Sequence, residues 1–326
     1  MPPIAKPEQI DMGDTYRGHR LAVVLPCYNE ATAIASVVSA FRTALPEATI
    51  HVFDNASTDG SAELARAAGA KVLVVRDRGK GNVVRRMFAD VEADIYVMAD
   101  ADGTYEAAEA RAMVDAMIAG SLDMVVGTRR PEGDGEIYRF GHRFGNSVLT
   151  GTVAWIFGHG FTDMLSGYRA FSRRYVKSFP ALSRGFEIET ELTIHALELR
   201  APYMEMPTAY LARAEGSESK LSTWRDGARI VKTILRLYMR ERPRQLYLLL
   251  AALLTLVSLG LGIPVIAEYL ETGLVPRLPT AVMAASCMLA ALLSGVCALI
   301  LDSVVTGRSE AKRLRYLAIE AVRVLD

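Results

Sequence analysis

Four short polar clusters carry the residue types from which a phosphate- and cation-binding site is built: Pro26-Cys-Tyr-Asn-Glu30, Asp54-Asn-Ala-Ser-Thr-Asp-Gly-Ser61, Arg76-Asp-Arg-Gly-Lys-Gly-Asn82 and Asp100-Ala-Asp-Gly-Thr-Tyr105. Asp100 and Asp102 are separated by one residue after an apolar run. In extended backbone, residues i and i+2 face the same way, so two carboxylates can hold one hard divalent cation. Mg²⁺ and Mn²⁺ prefer oxygen ligands, and Mg²⁺ commonly takes one or two carboxylates together with substrate phosphates. Taken alone, Asp-x-Asp is also what a solvated strand-end turn looks like. Asp54, Asp59 and Lys80 in the neighbouring clusters weigh toward a site. No Gly-x-Gly-x-x-Gly follows the first apolar run and no Gly-x-x-x-x-Gly-Lys-Ser/Thr occurs, which argues against a dinucleotide fold and a P-loop.

The elements that must position these clusters alternate. Apolar runs at Leu21–Leu25, Ile50–Phe53, Lys71–Val75, Ile95–Ala99 and Met124–Val126 read as strands. Helical patterns at Ala31–Ala44, Asp59–Ala68, about Asn82–Val91 and Glu106–Ala119 separate them. Such alternation predicts an α/β fold with a doubly wound, mostly parallel sheet. Ligands of such sheets bind at the carboxyl ends of the strands, and each cluster directly follows an apolar run.

The chain has 326 residues, with 37 Lys+Arg against 37 Asp+Glu, so its formal charge is zero. That balance argues against a nucleic-acid partner, which ordinarily meets a basic domain. Cys27, Cys287 and Cys297 offer no disulfide framework, the last two lying about 15 Å apart along a helix. Hydrophobic residues make up 51% and are concentrated at the C-terminal end, where 245–267 and 278–301 contain no charge. Each run exceeds the roughly 20 helical residues that cross a bilayer. Arg236, Arg240, Arg242 and Arg244 precede the first run, and Arg308, Lys312, Arg313 and Arg315 follow the second. The positive-inside rule then puts both flanks, and so both termini, in the cytoplasm. The N-terminus has no apolar signal segment, and two spans without an internal charge disfavour a transporter. Trp224, Ala228, Val231, Leu235 and Tyr238 form one helical stripe beside a basic one, the pattern of an interfacial amphipathic helix. Residues 309–325 repeat it more weakly, with Leu314, Leu317, Ala321 and Leu325 as the apolar stripe. The expected organisation is an extension (1–20), a cytoplasmic α/β domain that carries the four clusters (21–221), a juxtamembrane amphipathic helix (222–244), a transmembrane hairpin (245–301) and an amphipathic C-terminal helix (302–326).

In order and spacing, the four clusters resemble the inverting family 2 nucleotide-sugar glycosyltransferases of GT-A fold. Arg143-x-x-x-Ser147, Asp163–Arg173 (DMLSGYRAFSR), Gly185–Leu192 (GFEIETEL) and Arg213–Leu221 (RAEGSESKL) are similar to the polyprenyl-phosphate glycosyltransferases of the dolichyl-phosphate mannose synthase type. The likeness covers about residues 20–225. The Gln-x-x-Arg-Trp signature of processive polysaccharide synthases is absent. The resemblance implies transfer of a sugar from a nucleotide diphosphate sugar, with UDP preferred over GDP, to polyprenyl phosphate at a bacterial inner membrane. It implies Pro26, Tyr28, Glu30, Asp54, Asp59, Lys80 and Asp100 on the donor side, and Asp100 and Asp102 as ligands of Mg²⁺ or Mn²⁺. Thr104 stands where many relatives carry a further Gln ligand. Arg129, Arg143, Ser147, Arg213 and Lys220 would take the acceptor phosphate, and Asp163 and Arg169 fall at the catalytic centre. Asp163 is open between base and orienting group, for Arg169 or the sugar. Glu187 and Glu189 are open between sugar contacts and helix N-terminal carboxylates. A homo-oligomer is compatible with the chain. Two other functions remain: sugar transfer to a hydroxyl of a lipid-linked glycan, and a non-catalytic nucleotide-sugar-binding scaffold.

Overall fold

The structure is a computed structural model that describes residues 15–131, 151, 153, 160–185, 187–211, 239 and 242–323. Arg143, Ser147, Arg213 and Lys220, and nearly all of 222–241, lie outside the described residues. The chain divides into two compact units, one of residues 1–228 with 312–326 and one of 229–311.

The first unit is built on strands β1 (Leu21–Cys27), β2 (Thr49–Asp54), β3 (Lys71–Val74), β4 (Ile95–Met98), β5 (Met124–Pro131), β6 (Arg169–Ser172) and β7 (Tyr203–Tyr210). They form one sheet in the order β3-β2-β1-β4-β6-β5-β7. β1 pairs in parallel with β2 and β4, and β2 with β3. β6 runs antiparallel between β4 and β5, and β5 pairs in parallel with β7. The expected mostly parallel, doubly wound sheet is therefore present, with two strands that apolar patterning did not reveal. The central strands are apolar throughout because both faces are covered; Val23, Val24, Ile95 and Val97 are all fully buried. β1 runs two residues further than expected, through Pro26. That is tolerable because its pairing with β4 ends at Val24, so Pro26 is missing from no ladder on that side.

Helices α1 (Ile34–Ala44), α2 (Ser61–Ala67), α3 (Lys80–Asp90), α4 (Glu109–Ala119), α5 (Arg173–Ser178) and α6 (Ile188–Leu199) belong to this unit. α1 buries Ile34, Val37, Val38 and Phe41, one stripe at 3–4 residue spacing. α3 starts at Lys80 because Gly79 has φ +123°, a conformation side chains resist. A Cβ on Gly79 would stand 2.1 Å from the Arg184 carbonyl oxygen, and one on Gly81 2.2 Å from that of Ser183. Two glycines thus let the 183–184 loop lie directly on the first turn of α3, with Lys80 held between them.

The second unit consists of most of two long helices, α7 (Pro243–Thr272) and α8 (Leu278–Leu317), with mean hydropathy 2.4 and 2.3. Both are long and apolar enough to cross a hydrocarbon core of about 30 Å. Ala284, Ala291 and Ala298, seven residues apart, are buried in α8. The Ser258 hydroxyl donates to the Ala284 carbonyl (2.7 Å), and Gly262 lies against Ala284. Small residues permit such close backbone approach. Large side chains point the other way: Leu249, Leu256, Leu270 and Leu299 are about two-thirds exposed or more. In water that apolar area would be a liability; toward lipid it is neutral.

Candidate active site

At the carboxyl ends of β1 and β2, side-chain bonds knit two loops together. Asp59 accepts from Ala31 N (2.9 Å) and from the backbone and hydroxyl of Ser61 (3.0 and 2.5 Å), while Ser61 Oγ accepts from Glu30 N. Burial raises the Asp59 carboxyl, but these bonds outweigh it and hold the carboxyl below its ordinary range. Asp59 therefore spends its oxygens on fixing the Tyr28–Glu30 turn. Asp54, 3% exposed at the end of β2, accepts from Ser57 N through Oδ2, while its buried Oδ1 has no hydrogen-bond partner among the described residues. Burial and then the Asp54 charge push the thiol of neighbouring Cys27 up to about 12, which disfavours its thiolate. The Arg78 guanidinium lies over the Tyr28 ring, 5.2 Å from its centroid.

Lys80 bridges two acids. Its Nζ is 2.5 Å from Asp100 Oδ1 and 2.7 Å from Glu189 Oε1. Burial pulls its pKa down, but the two carboxylates outweigh burial and the ammonium is held charged, above the ordinary lysine value. Glu189, at the start of α6 and 4% exposed, keeps Oε2 without a hydrogen-bond partner among the described residues. The sequence left Glu189 open between two roles; its contact with Lys80 brings it into the site. Asp102 Oδ1 accepts from the backbone (3.2 Å) and hydroxyl (2.7 Å) of Thr104, itself buried. The residue in the relatives' Gln position thus orients a carboxylate.

Among the described residues no group of three or more His, Cys, Asp or Glu could hold a metal by itself. Asp100 and Asp102 are nevertheless a fitting donor set for Mg²⁺ or Mn²⁺, since such ions complete their shell with water and phosphate oxygens. Asp100 is also pressed against Gly167, where a Cβ would stand 2.6 Å from Oδ2 and 3.0 Å from Cγ. The Gly167 N–H donates to the buried Tyr105 hydroxyl (2.9 Å). Gly167→Ala must push Asp100 off this position. The expected result is a loss of about tenfold to a hundredfold in Mn²⁺ affinity or turnover, the range for displaced supporting contacts at metal sites. Metal titration by calorimetry beside a melting curve checks it; unchanged affinity in a folded variant would show that the contact is irrelevant.

Asp163 and Arg129 form a bidentate pair, with Arg129 Nε and Nη2 each 2.7 Å from a carboxylate oxygen and the Arg129 backbone N–H 3.3 Å from Oδ2. Burial raises Asp163, but the Arg129 bonds and charge outweigh it and hold the carboxyl below the usual range. Glu205 on β7 fixes the loop from below, accepting from Thr162 N, Thr162 Oγ1 and Asp163 N. Arg169 does not pair with Asp163. It is fully buried, and donates to the Ser166 and Met164 carbonyls and to Thr193 Oγ1. Burial lowers its pKa. Arg169 pins the turn between Asp163 and Gly167 from inside the protein.

Three supporting residues escaped the sequence reading. Asn55 donates to the Val75 and Asp77 carbonyls (2.9 and 2.8 Å) and accepts from Gly79 N (2.7 Å), so one amide holds the whole loop before Lys80. Its place directly after Asp54 was the only signal. Tyr105 likewise had only its place at the end of the Asp100–Tyr105 cluster, and Glu205 gave no signal, since β7 was not recognised.

The sequence matches the model of the glycosyl transferase family 2 over residues 22–179. Glycosyltransferase AglJ of Haloferax volcanii is 37% identical over 254 residues, covering 76% of this chain and 82% of that protein. A dolichyl-phosphate hexose transferase of the same organism is 29% identical, covering 69% and 96%. Among solved structures, glucosyl-3-phosphoglycerate synthase from Mycobacterium tuberculosis, in complex with Mn²⁺, UDP and glucosyl-3-phosphoglycerate, superposes with a TM-score of 0.55 at 24% identity, covering 67% of this chain and 80% of that one. That likeness establishes the GT-A type of fold. With this sheet, these strand-end clusters and a relative so similar over four-fifths of its length, the chain belongs to glycosyl transferase family 2.

Proposed function

We propose that the protein transfers one sugar from a nucleotide diphosphate sugar to the phosphate of a polyprenyl phosphate, with inversion at the anomeric carbon. The observation that carries the reading is the Arg129–Asp163 pair. A hydroxyl acceptor needs a base to take its proton. Asp163 has both oxygens engaged by Arg129 and a depressed pKa, which makes it a poor base. A phosphate oxygen is already anionic and attacks without one. The name of the dolichyl-phosphate relative and the two long apolar helices support the same acceptor.

On this reading Pro26, Tyr28, Glu30 and Asp54 line the nucleoside side, and Asp54 Oδ1 accepts a donor from base or ribose. Lys80 exchanges a carboxylate for a diphosphate oxygen, and Glu189 Oε2 accepts a sugar hydroxyl. Asp100 and Asp102 hold the divalent cation, which when bound neutralises charge growing on the departing nucleoside diphosphate. UDP is the preferred nucleotide, in keeping with the ligand of the mycobacterial synthase. Arg129 meets the acceptor phosphate, together with Arg143, Ser147, Arg213 and Lys220 from outside the described residues. Arg is apt there because its planar fork binds phosphate oxygens bidentately. The hairpin holds this chemistry at the cytoplasmic face of a bacterial inner membrane.

Incubating the full-length protein, Mg²⁺ or Mn²⁺ and polyprenyl phosphate with a panel of nucleotide sugars, followed by mass spectrometry of the lipid, is the test. A polyprenyl-phosphate sugar is expected. Product only on a lipid-linked glycan hydroxyl would support the other transferase, and donor binding without any product would leave the scaffold. Arg213→Ala is expected to raise the acceptor constant about tenfold to a hundredfold, as loss of one charge-assisted contact of roughly 1.5–3 kcal/mol implies. Donor affinity by calorimetry should stay put; the reverse pattern would make Arg213 a diphosphate ligand.

A further inference from the structure

Asp123 is a fully buried acid that the chemistry above does not use. It stands at the foot of β5, where Ser172 N bonds its carbonyl and its own N–H bonds the Pro202 carbonyl, so β5, β6 and the approach to β7 meet at this residue. Its carboxylate accepts from Ser172 Oγ (2.6 Å) and from Arg174 Nε and Nη2 (2.6 and 2.7 Å). The last donor is the hydroxyl of Tyr316, from beyond the second apolar run. The Arg174 guanidinium also lies over the Tyr316 ring, 4.6 Å from its centroid.

Three other contacts bring the same segment to the same unit. Lys312 Nζ lies 2.5 Å from Glu198 Oε2, with side chains 19% and 10% exposed. Val322 is 5% exposed and belongs to the core cluster that contains Leu21, Val23 and Ile95. His19 Nε2 is 2.9 Å from the Arg323 carbonyl oxygen. Leu314 and Leu317, two of the four residues of the weak apolar stripe, are 69% and 62% exposed. The docked Tyr316 and Val322 lie off that stripe. A carboxylate taken out of water is tolerated only when its oxygens are met by donors and opposite charge, and Asp123 has its full set only with Tyr316 in place.

We propose that residues 312–323 are a clasp: a recognition segment, docked within its own chain, for an acidic slot formed by Asp123 and Glu198. By completing the bonds at Asp123 the clasp positions β5 and β6, the strands that bear Arg129 and Arg169. The catalytic fold is then discontinuous in sequence, finished by a segment made after the apolar helices.

Two measurements on the full-length protein in lipid nanodiscs test this. Carbodiimide joins an amine to a carboxylate only when they touch. An equal mixture of ¹⁴N- and ¹⁵N-labelled protein should give a Lys312–Glu198 linked peptide with both halves from one isotope. A mixed-isotope peptide would assign the slot to a neighbouring copy and overturn docking within the chain; absence of the link would overturn docking altogether. For positioning, Tyr316→Phe keeps the ring and removes the donor. Hydrogen-exchange protection is expected to fall about tenfold at Met124–Val126 and Ala170–Phe171, and to hold at Val23–Leu25 in β1. Equal change in both regions would make Tyr316 a general stabiliser, and no change would make it a bystander; either overturns the positioning role. The charge swap supplies the control for folding: Lys312→Glu lowers the melting midpoint, and adding Glu198→Lys restores most of the loss.

Discussion

Asp102→Asn is expected to lower turnover by at least about a hundredfold with the fold unchanged. The side chain keeps its size and its place beside Thr104 (2.7 Å), so packing survives. What is lost is one of two carboxylates that would hold the cation, and Lewis-acid stabilisation of a leaving diphosphate is worth several kcal/mol, with each 1.36 kcal/mol a factor of ten in rate. Thr104→Val should act in the same direction and more weakly, about tenfold to a hundredfold, because it leaves the charge and removes only its orientation. The measurement is turnover across a Mg²⁺ or Mn²⁺ titration, with circular dichroism on each variant. Undiminished activity of the Asn variant in EDTA would sink the cation assignment.

Asp163→Ala is expected to cost about 3–5 kcal/mol of stability, the usual result of removing one partner from a buried ion pair. The pair is mostly out of water, with side chains 16% and 11% exposed, so Arg129 would be left charged and poorly solvated. Arg129→Met with Asp163→Leu should cost much less than the sum of the single changes, since no lone charge remains. Urea melts of all four proteins measure this, and simple additivity would show that the pair carries no coupling. The pH dependence has a definite sign. Burial raises the folded-state pKa of Asp163, the Arg129 bonds and charge lower it by more, and the net is below the unfolded value. Its contribution is therefore complete above the unfolded value of about 3.9 and is lost as pH falls through the folded one. The stability gap between the native protein and Asp163→Asn should be flat near neutrality and close below about pH 4. Kinetics of the same Asn variant separate the roles: a base would be lost outright, whereas a group that holds Arg129 leaves residual turnover and a raised acceptor constant.

Strand and helix alternation, the polar clusters at strand ends and the two long apolar helices were all legible from residue order. Each is a local property, since burial on both faces demands an unbroken apolar run, and a span demands about 20 of them. Asp100 and Asp102 stood out by their one-residue spacing, but β4 ends at Met98 and the chain turns at 101–102 instead of continuing extended, so their relation is set by that turn and not by strand alternation. The identity of partners was not legible. Arg169 lies in a motif that promises chemistry, yet it is fully buried and pins a turn, because four-residue β6 slots antiparallel between β4 and β5. Arg129 finds Asp163 across 34 residues, Lys80 finds Glu189, and Tyr316 finds Asp123 across 193. Which acid meets which base depends on where the sheet order carries them. That order is decided by burial summed over the whole fold, and no window of sequence contains the sum.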